Sequence, residues 1–266
     1  LDMGIAEANM IGVAAGLAAC GKKPFANSFA MFTAGRAYEQ IRNSVAYPGL
    51  NVKCIGSHGG LSVGEDGATH QCLEDLALMS AIPGMLVLNP CDGNEMRQAV
   101  LALIEYEGPA YMRLGRMAVE NVTDSVEGYK FEIGKAAKLR EGSDLTICAT
   151  GLMVQRALSA AGLLEAQGIS ARVLDFHTIK PLDGEALLAA ARETGCILTT
   201  EEHSINGGLG SAVAAFLGEN CPVPVVRHGV NDEFGRSGKA ELVLAAYGLT
   251  DEGIAMRAKD ALKLKA

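Results

Sequence analysis

Residues 55–90 read IGSHGGLSVGEDGATHQCLEDLALMSAIPGMLVLNP, a polar, glycine-rich passage set between two apolar runs. His58, Asp66 and His70 fall within it, among glycines at 56, 59, 60, 64 and 67. Glycine lets a backbone turn sharply and approach a neighbour closely, so residues 57–71 read as a loop. LEDLALMSAIPGM then predicts a helix and a turn, and MLVLN a strand. Strand, polar loop, helix is how an α/β protein sets side chains at the carboxyl edge of its sheet.

The same rhythm extends outward. Ahead of the loop, Asn51–Gly56 predicts a strand, Ala34–Ala46 a helix and Pro24–Phe32 a strand and turn carrying Phe25, Phe29 and Phe32. Before these, Ala6–Ala19 places Met10, Val13, Ala14 and Leu17 at helical spacing. Beyond the loop, Asp92 with Glu95 has the form of a capping box, followed by a helix to Tyr106 and a strand at Ala110–Leu114. Alternating helices and strands predict a parallel, right-handed, doubly wound sheet. Periodicity weakens across Met117–Asp144, and a domain boundary is expected at residues 123/124. Strands at Leu145–Ala149, Ala171–Asp175, Ile197–Glu201 and Val223–Val226 then alternate with helices at Gln155–Gln167, Gly184–Thr194 and Leu209–Leu217, and a last helix starts at Asp251. The fold class is therefore two doubly wound α/β domains, residues 1–123 and a smaller 124–266.

Composition sets the limits. The chain has 266 residues, 49% of them hydrophobic and 5% aromatic, enough for a substantial core of closely packed helices on sheets. With 23 basic and 31 acidic residues the net charge is −8 and no basic cluster stands out, so no nucleic acid or anionic membrane surface is expected as a partner. Charge-free runs at 8–21 and 76–91 fall short of the roughly 20 apolar residues that span a bilayer, and no membrane span is expected. Seven cysteines without a C-x-x-C pair read as reduced thiols of a cytoplasmic protein. The opening LDMGIAEANM starts within what reads as an element, so upstream residues are expected.

Several residue groups could carry chemistry. Glu7, in the first turn of a helix, is favoured there by the helix dipole, and capping alone would account for it. His58, Asp66 and His70 could bind a polyol through hydrogen bonds or, as two imidazoles and a carboxylate, hold zinc. NGGLGSAV at Asn206–Val213 follows a strand and opens a helix, a place for close packing or for an anion. Asp175, His177, Lys180, His203 and His228 read as structural or surface residues.

Taken together, GIAEANMIGVAAGLA, SFAMFTAGRAYEQIR, SHGGLSVGEDGATHQCLEDLALMSAIPGM, NPCDGNE, VLDFHTIKPLD, TTEEHSINGGLGSAV and FGRSGKAELVLAAYGL resemble transketolase, in order and over nearly the whole chain. The resemblance covers the pyrimidine-binding and C-terminal domains, the former lacking its first strand. It implies a thiamine-diphosphate enzyme transferring a two-carbon ketol unit between sugar phosphates. Glu7 matches the family's catalytic carboxylate toward the aminopyrimidine, in an apolar setting expected to raise its proton affinity. Phe29 and Phe32 match the aromatics that flank that ring, while Gly35 stands where a further Tyr is common. His58, Asp66 and His70 match sugar contacts, the imidazoles also moving protons, and Arg113 matches a phosphate contact. No GDG metal and diphosphate motif occurs in a fitting place. The resemblance therefore implies that magnesium and diphosphate are held by an N-terminal transketolase subunit, in an α2β2 assembly, with no metal ligand on this chain. Relatives such as 1-deoxyxylulose-5-phosphate synthase or a 2-oxoacid dehydrogenase β subunit share the fold, and a non-catalytic assembly partner would share it too. SHGG and GEDG favour transketolase.

Overall fold

The structure, a computed structural model, describes residues 1–265. It opens on α1 (Glu7–Ala19), whose buried side is Ile11, Ala14, Ala15 and Ala18. These small side chains let the helix lie close on its neighbours. Strands β1 (Phe25–Phe29), β2 (Lys53–Ser57), β3 (Leu86–Leu88) and β4 (Ala110–Arg113) pair in parallel in the order β1-β2-β4-β3. All of β3 and β4 is buried, as expected of parallel strands covered on both faces. Between the strands lie α2 (Tyr38–Gln40), α3 (Asp75–Ser80) and α4 (Gly93–Glu105).

The second sheet holds β5 (Ala137–Arg140), β6 (Leu145–Ala149), β7 (Ala171–Asp175), β9 (Ile197–Ser204) and β10 (Val225–Val230), in the order β10-β9-β6-β7-β5. Its helices are α5 (Met153–Glu165), α6 (Gly184–Thr194), α7 (Leu209–Asn220), α8 (Ala240–Ala246) and α9 (Asp251–Lys263). No helix among the described residues is long and apolar enough to cross a membrane.

Three features depart from the sequence reading. Both sheets end in an antiparallel strand that periodicity missed: β5 pairs with β7, and β8 (Thr178–Lys180) crosses over to pair with β3 of the first sheet. Three- and four-residue strands are too short to give a period. The helix expected at Ala34–Ala46 starts at Met31 and consists of two wide turns, Met31–Arg36 and Ile41–Ala46, with α2 between them. Such i→i+5 turns re-aim side chains and concentrate at functional sites. Helix α8 was not anticipated.

The core does not respect the division into two sheets. One apolar cluster joins Ile11, Ala14, Val45, Met79 and Tyr111 to Cys148, Phe176, Leu187 and Leu217. Another joins Leu61, Leu73 and Cys91 to Ile147, Met153 and Ile254. Within the second half, His228 on β10 is buried beside Thr200, whose hydroxyl lies 3.3 Å from Nδ1. Burial, with Arg257 nearby, lowers its pKa to about 4. Unfolded, the imidazole takes up a proton near 6.5. The folded pKa is the lower one, so this residue's stability contribution is complete above about pH 6.5 and lost as pH falls toward 4. His228→Gln is expected to remove as much as about 3 kcal/mol of acid destabilisation. Urea melts of both proteins at pH 4.5 and pH 7.5 check this, and an equal pH slope would refute it.

Candidate active site

The loop of residues 57–71 leaves the carboxyl end of β2, an inner strand of the first sheet between β1 and β4. His58 sits at φ +58°, a left-handed conformation that side chains rarely adopt without compensation. Its ring lies flat on Phe29, with centroids 4.0 Å apart and planes 13° apart. Phe29 and Phe32 are near-parallel at 6.2 Å, and His70 presents its edge to both, at 6.3 and 5.2 Å. The wide turn from Met31 places Phe32 beside Phe29 in this group. Burial, and next the positive charge of Arg116, lowers the His58 pKa, partly offset by Asp66. His58 is therefore neutral at pH 7, with ring nitrogens able to donate or accept. Its Nδ1 is 3.1 Å from the Ser57 hydroxyl, and His70 Nδ1 is 2.9 Å from that of Thr69.

Glu7 is linked to the aromatic pair through Arg36. Its carboxylate is buried at 5% exposure. It accepts from Arg36 Nη1 at 2.8 Å and from the Ser28 hydroxyl at 3.2 Å. Arg36 also lies over the Phe32 ring, 4.5 Å from its centroid. Burial pushes the Glu7 pKa up, but the Arg36 hydrogen bond and charge, a backbone hydrogen bond and Ser28 outweigh it, and the net shift is downward. This corrects the expectation of a raised proton affinity. The apolar setting is present, but so is a guanidinium that the sequence did not pair with Glu7.

Arg113 lies beneath the loop. It was expected to meet a substrate phosphate, yet its side chain is 3% exposed. Nη1 lies 3.4 Å from Asp75 Oδ1, and Nη2 donates to the Glu202 carbonyl at 2.7 Å. Asp75 also accepts from the buried Tyr111 hydroxyl at 2.7 Å, and the Glu202 carboxylate receives the Ser62 N–H. Arg113 thus ties β4, α3, β9 and the loop together from beneath. Gly60, at φ +91°, is glycine for this reason: a Cβ there would run into the Glu202 carboxyl and Arg113.

The guanidinium that does reach the loop surface is Arg116, three residues on. It donates to the Val63 carbonyl and lies 3.6 Å from Asp66 and 3.9 Å from Glu65, with its side chain 39% exposed. Sequence reasoning missed Arg116 and Arg36. Arg113 was singled out by its match to the family's phosphate contact, whereas an arginine after Gly115 carries no periodic signal of its own.

The zinc alternative for His58, Asp66 and His70 finds no support in the donor geometry. Among the described residues, the one set of three such donors whose ligand atoms all lie within 4.8 Å is Cys91, Glu95 and Asp175. The anion expected as one option at Asn206–Val213 is internal: the Glu201 carboxylate accepts from the Leu209 and Gly210 N–H groups at 2.7 and 2.8 Å, capping α7.

Comparison with known proteins finds two family matches along the chain. Residues 1–121 match the family described as transketolase, pyrimidine binding domain, and residues 134–254 match transketolase, C-terminal domain. The 6-deoxy-6-sulfo-D-fructose transketolase subunit SqwH of Clostridium sp. (strain MSTE9) is 49% identical over 265 residues, spanning 100% of this chain and 82% of that protein. One of the subunits of the apulose-4-phosphate transketolase of Phocaeicola vulgatus is 44% identical over 263 residues, 99% of this chain and 84% of its own length. A solved split-gene transketolase, an inactive β4 tetramer, superposes with TM-score 0.90 at 49% identity, covering 100% of this chain and 84% of that one. A 1-deoxy-D-xylulose-5-phosphate synthase of Heliobacterium modesticaldum is 40% identical over 262 residues, but the match takes up only 40% of that enzyme. The chain belongs to the transketolase family and corresponds to the C-terminal section of its split members.

Proposed function

We propose that the chain forms the pyrimidine-side half of a thiamine-diphosphate site and, with a second subunit, transfers a two-carbon ketol unit from a ketose phosphate to an aldose phosphate. The single observation that carries this reading is the continuous set Glu7, Arg36, Phe32, Phe29, His58 and His70, in contact from carboxylate to imidazole. Parallel phenyl faces suit a flat heteroaromatic ring, and a buried carboxylate at their edge suits a ring nitrogen that shares a proton. The donor set fits the aminopyrimidine half of the cofactor. Thiamine diphosphate supplies, when bound, the carbanion-stabilising chemistry that side chains lack.

In this reading Glu7 holds the ring in the required protonation state, with Arg36 and Ser28 fixing its carboxylate. Phe29 and Phe32 orient the ring and exclude water. His58 and His70, with two ring nitrogens each, bind the sugar carbonyl and hydroxyls and pass protons to them. Asp66 accepts from a sugar hydroxyl and reads its stereochemistry. Arg116, not Arg113, offers its exposed guanidinium edge to a terminal phosphate or another anionic substituent. Magnesium and the diphosphate belong to a subunit carrying the diphosphate-binding domain, in an α2β2 assembly. The 49%-identical structure is an inactive β4 tetramer, which agrees with a chain that needs such a partner.

The reaction is tested by combining the full-length chain with its candidate partner, thiamine diphosphate and magnesium, and supplying xylulose 5-phosphate and ribose 5-phosphate. Related subunits act on sulfofructose and apulose phosphate, so both of these donors are included. Absence of ketol transfer from every donor would reject the reading, and accumulation of 1-deoxyxylulose 5-phosphate from pyruvate would favour the synthase instead. Arg116→Ala is expected to raise KM for the charged donor about 10- to 100-fold, the worth of a charge-assisted hydrogen bond. An unphosphorylated ketose should be nearly unaffected, and equal loss for both donors would place Arg116 outside anion recognition.

A further inference from the structure

We propose that Cys91, Glu95 and Asp175 form a buried site for one divalent cation of the zinc class, at the seam between the two sheets. It lies apart from the loop chemistry and does not rest on the ketol-transfer reading. Cys91 and Glu95 belong to the turn after β3 and the start of α4, and Asp175 ends β7. Their side chains are 5%, 0% and 0% exposed, yet one ligand atom from each meets the others within 4.8 Å. Thiolate with two carboxylates is a donor set that zinc accepts, with a fourth position left for water.

Two observations point to an occupant. Both Asp175 oxygens are buried with no backbone or basic donor, and only the Cys91 thiol and a protonated Glu95 can reach them, a costly arrangement unless a cation is bound there. Two carboxylates and a thiol also meet there, all buried, with no basic side chain hydrogen-bonded to any of them among the described residues. A cation, or protons, must therefore supply the balance. The outer contacts are those of a built site. Tyr129 donates its hydroxyl to Glu95 Oε1, and the Cys91 N–H donates to Oε2 at 2.6 Å, leaving each oxygen a lone pair directed elsewhere. Asp92 is committed separately, accepting from Glu95 N–H and from Thr123. A cavity of about 230 Å³ lined by Ser62, Pro90, Cys91, Asp92 and Leu114 opens beside Cys91 and offers a route of entry. A thiol must give up its proton to ligate a metal, so binding strengthens as pH rises.

The test uses the full-length protein, stripped with chelator and reloaded with Zn²⁺ or Co²⁺ at pH 8. About one zinc per chain is expected by elemental analysis. The cobalt form should show a thiolate charge-transfer band that is absent in Cys91→Ser, and Asp175→Asn should bind zinc at least about tenfold more weakly. Circular dichroism checks the fold of both variants. Zinc should also protect Cys91 from alkylation in the unmodified protein, read by peptide mass spectrometry, which decides the matter even if a variant fails to fold. Failure of the wild type to retain zinc or cobalt overturns the proposal, as does a cobalt band that survives in a folded Cys91→Ser. Unchanged Asp175→Asn affinity, or Cys91 alkylated equally with and without zinc, does the same; two shared protons then balance the site.

Discussion

Glu7→Gln is expected to lower ketol transfer by the reconstituted complex by about a hundredfold or more, the usual worth of a positioned acid–base group, while leaving assembly intact. Glutamine keeps the volume of the side chain and can still accept from the Ser28 hydroxyl that lies 3.2 Å from Oε1. It cannot balance the Arg36 guanidinium or take up and return a proton. Turnover and size-exclusion chromatography, measured together, check both halves of the expectation. A near-normal rate would leave Glu7 as a helix-start carboxylate and nothing more. The downward pKa shift also has a sign. Because the folded pKa lies below the unfolded one, the Glu7–Arg36 pair contributes stability above the unfolded carboxylate pKa, and that contribution fades as pH falls through the folded value. Glu7→Gln should show a shallower acid slope as well as lost activity.

The second large effect concerns stability. Arg113→Met should cost about 3–5 kcal/mol, since deleting one partner of a buried ion pair strands the other. Asp75, at 0% exposure, would keep only the Tyr111 hydroxyl, and the Glu202 carbonyl would lose its donor. In a protein of this size the midpoint of thermal unfolding should fall by roughly 10 °C or more. Arg113→Lys returns the charge without the two-pronged geometry and should recover part of the loss. If Arg113→Met unfolds at the wild-type temperature while KM for a phosphorylated donor rises, the residue faces substrate after all.

Much of the architecture was legible because apolar runs such as MLVLN at 85–89 and the helical spacing of Ala6–Ala19 report burial directly. The rest was set by tertiary contact. Thr178–Lys180 is a strand only because Val87 and Leu88 lie opposite it. Met31–Ala46 is wider than an α-helix, and apolar spacing cannot distinguish a turn of i→i+5 from one of i→i+4. Within the site, Phe29 from β1 and His58 and His70 from the loop converge in space. The arginines were harder to read, because a guanidinium reaches far and its partner is fixed by the fold. Thus Arg113 turned inward to Asp75, whereas Arg36 turned to Glu7 and Arg116 to Asp66. Likewise Glu201, without a period of its own, proved to occupy the helix start that NGGLGSAV left open to an outside anion.

The crossing of β8 to the first sheet governs how the molecule can be divided. Without Thr178–Lys180, β3 would present bare backbone N–H and C=O groups along its fully buried Leu86–Leu88 edge, ready to pair with another chain. Lys180 fastens the crossing with hydrogen bonds from Nζ to the Ser80 and Ile82 carbonyls, at 2.8 and 2.7 Å. The two halves are therefore stitched rather than strung. A cut in the polar crossover would yield sticky, self-associating fragments instead of separable modules, and a pyrimidine-side unit made on its own would need Thr178–Lys180 supplied in trans as a complementing peptide.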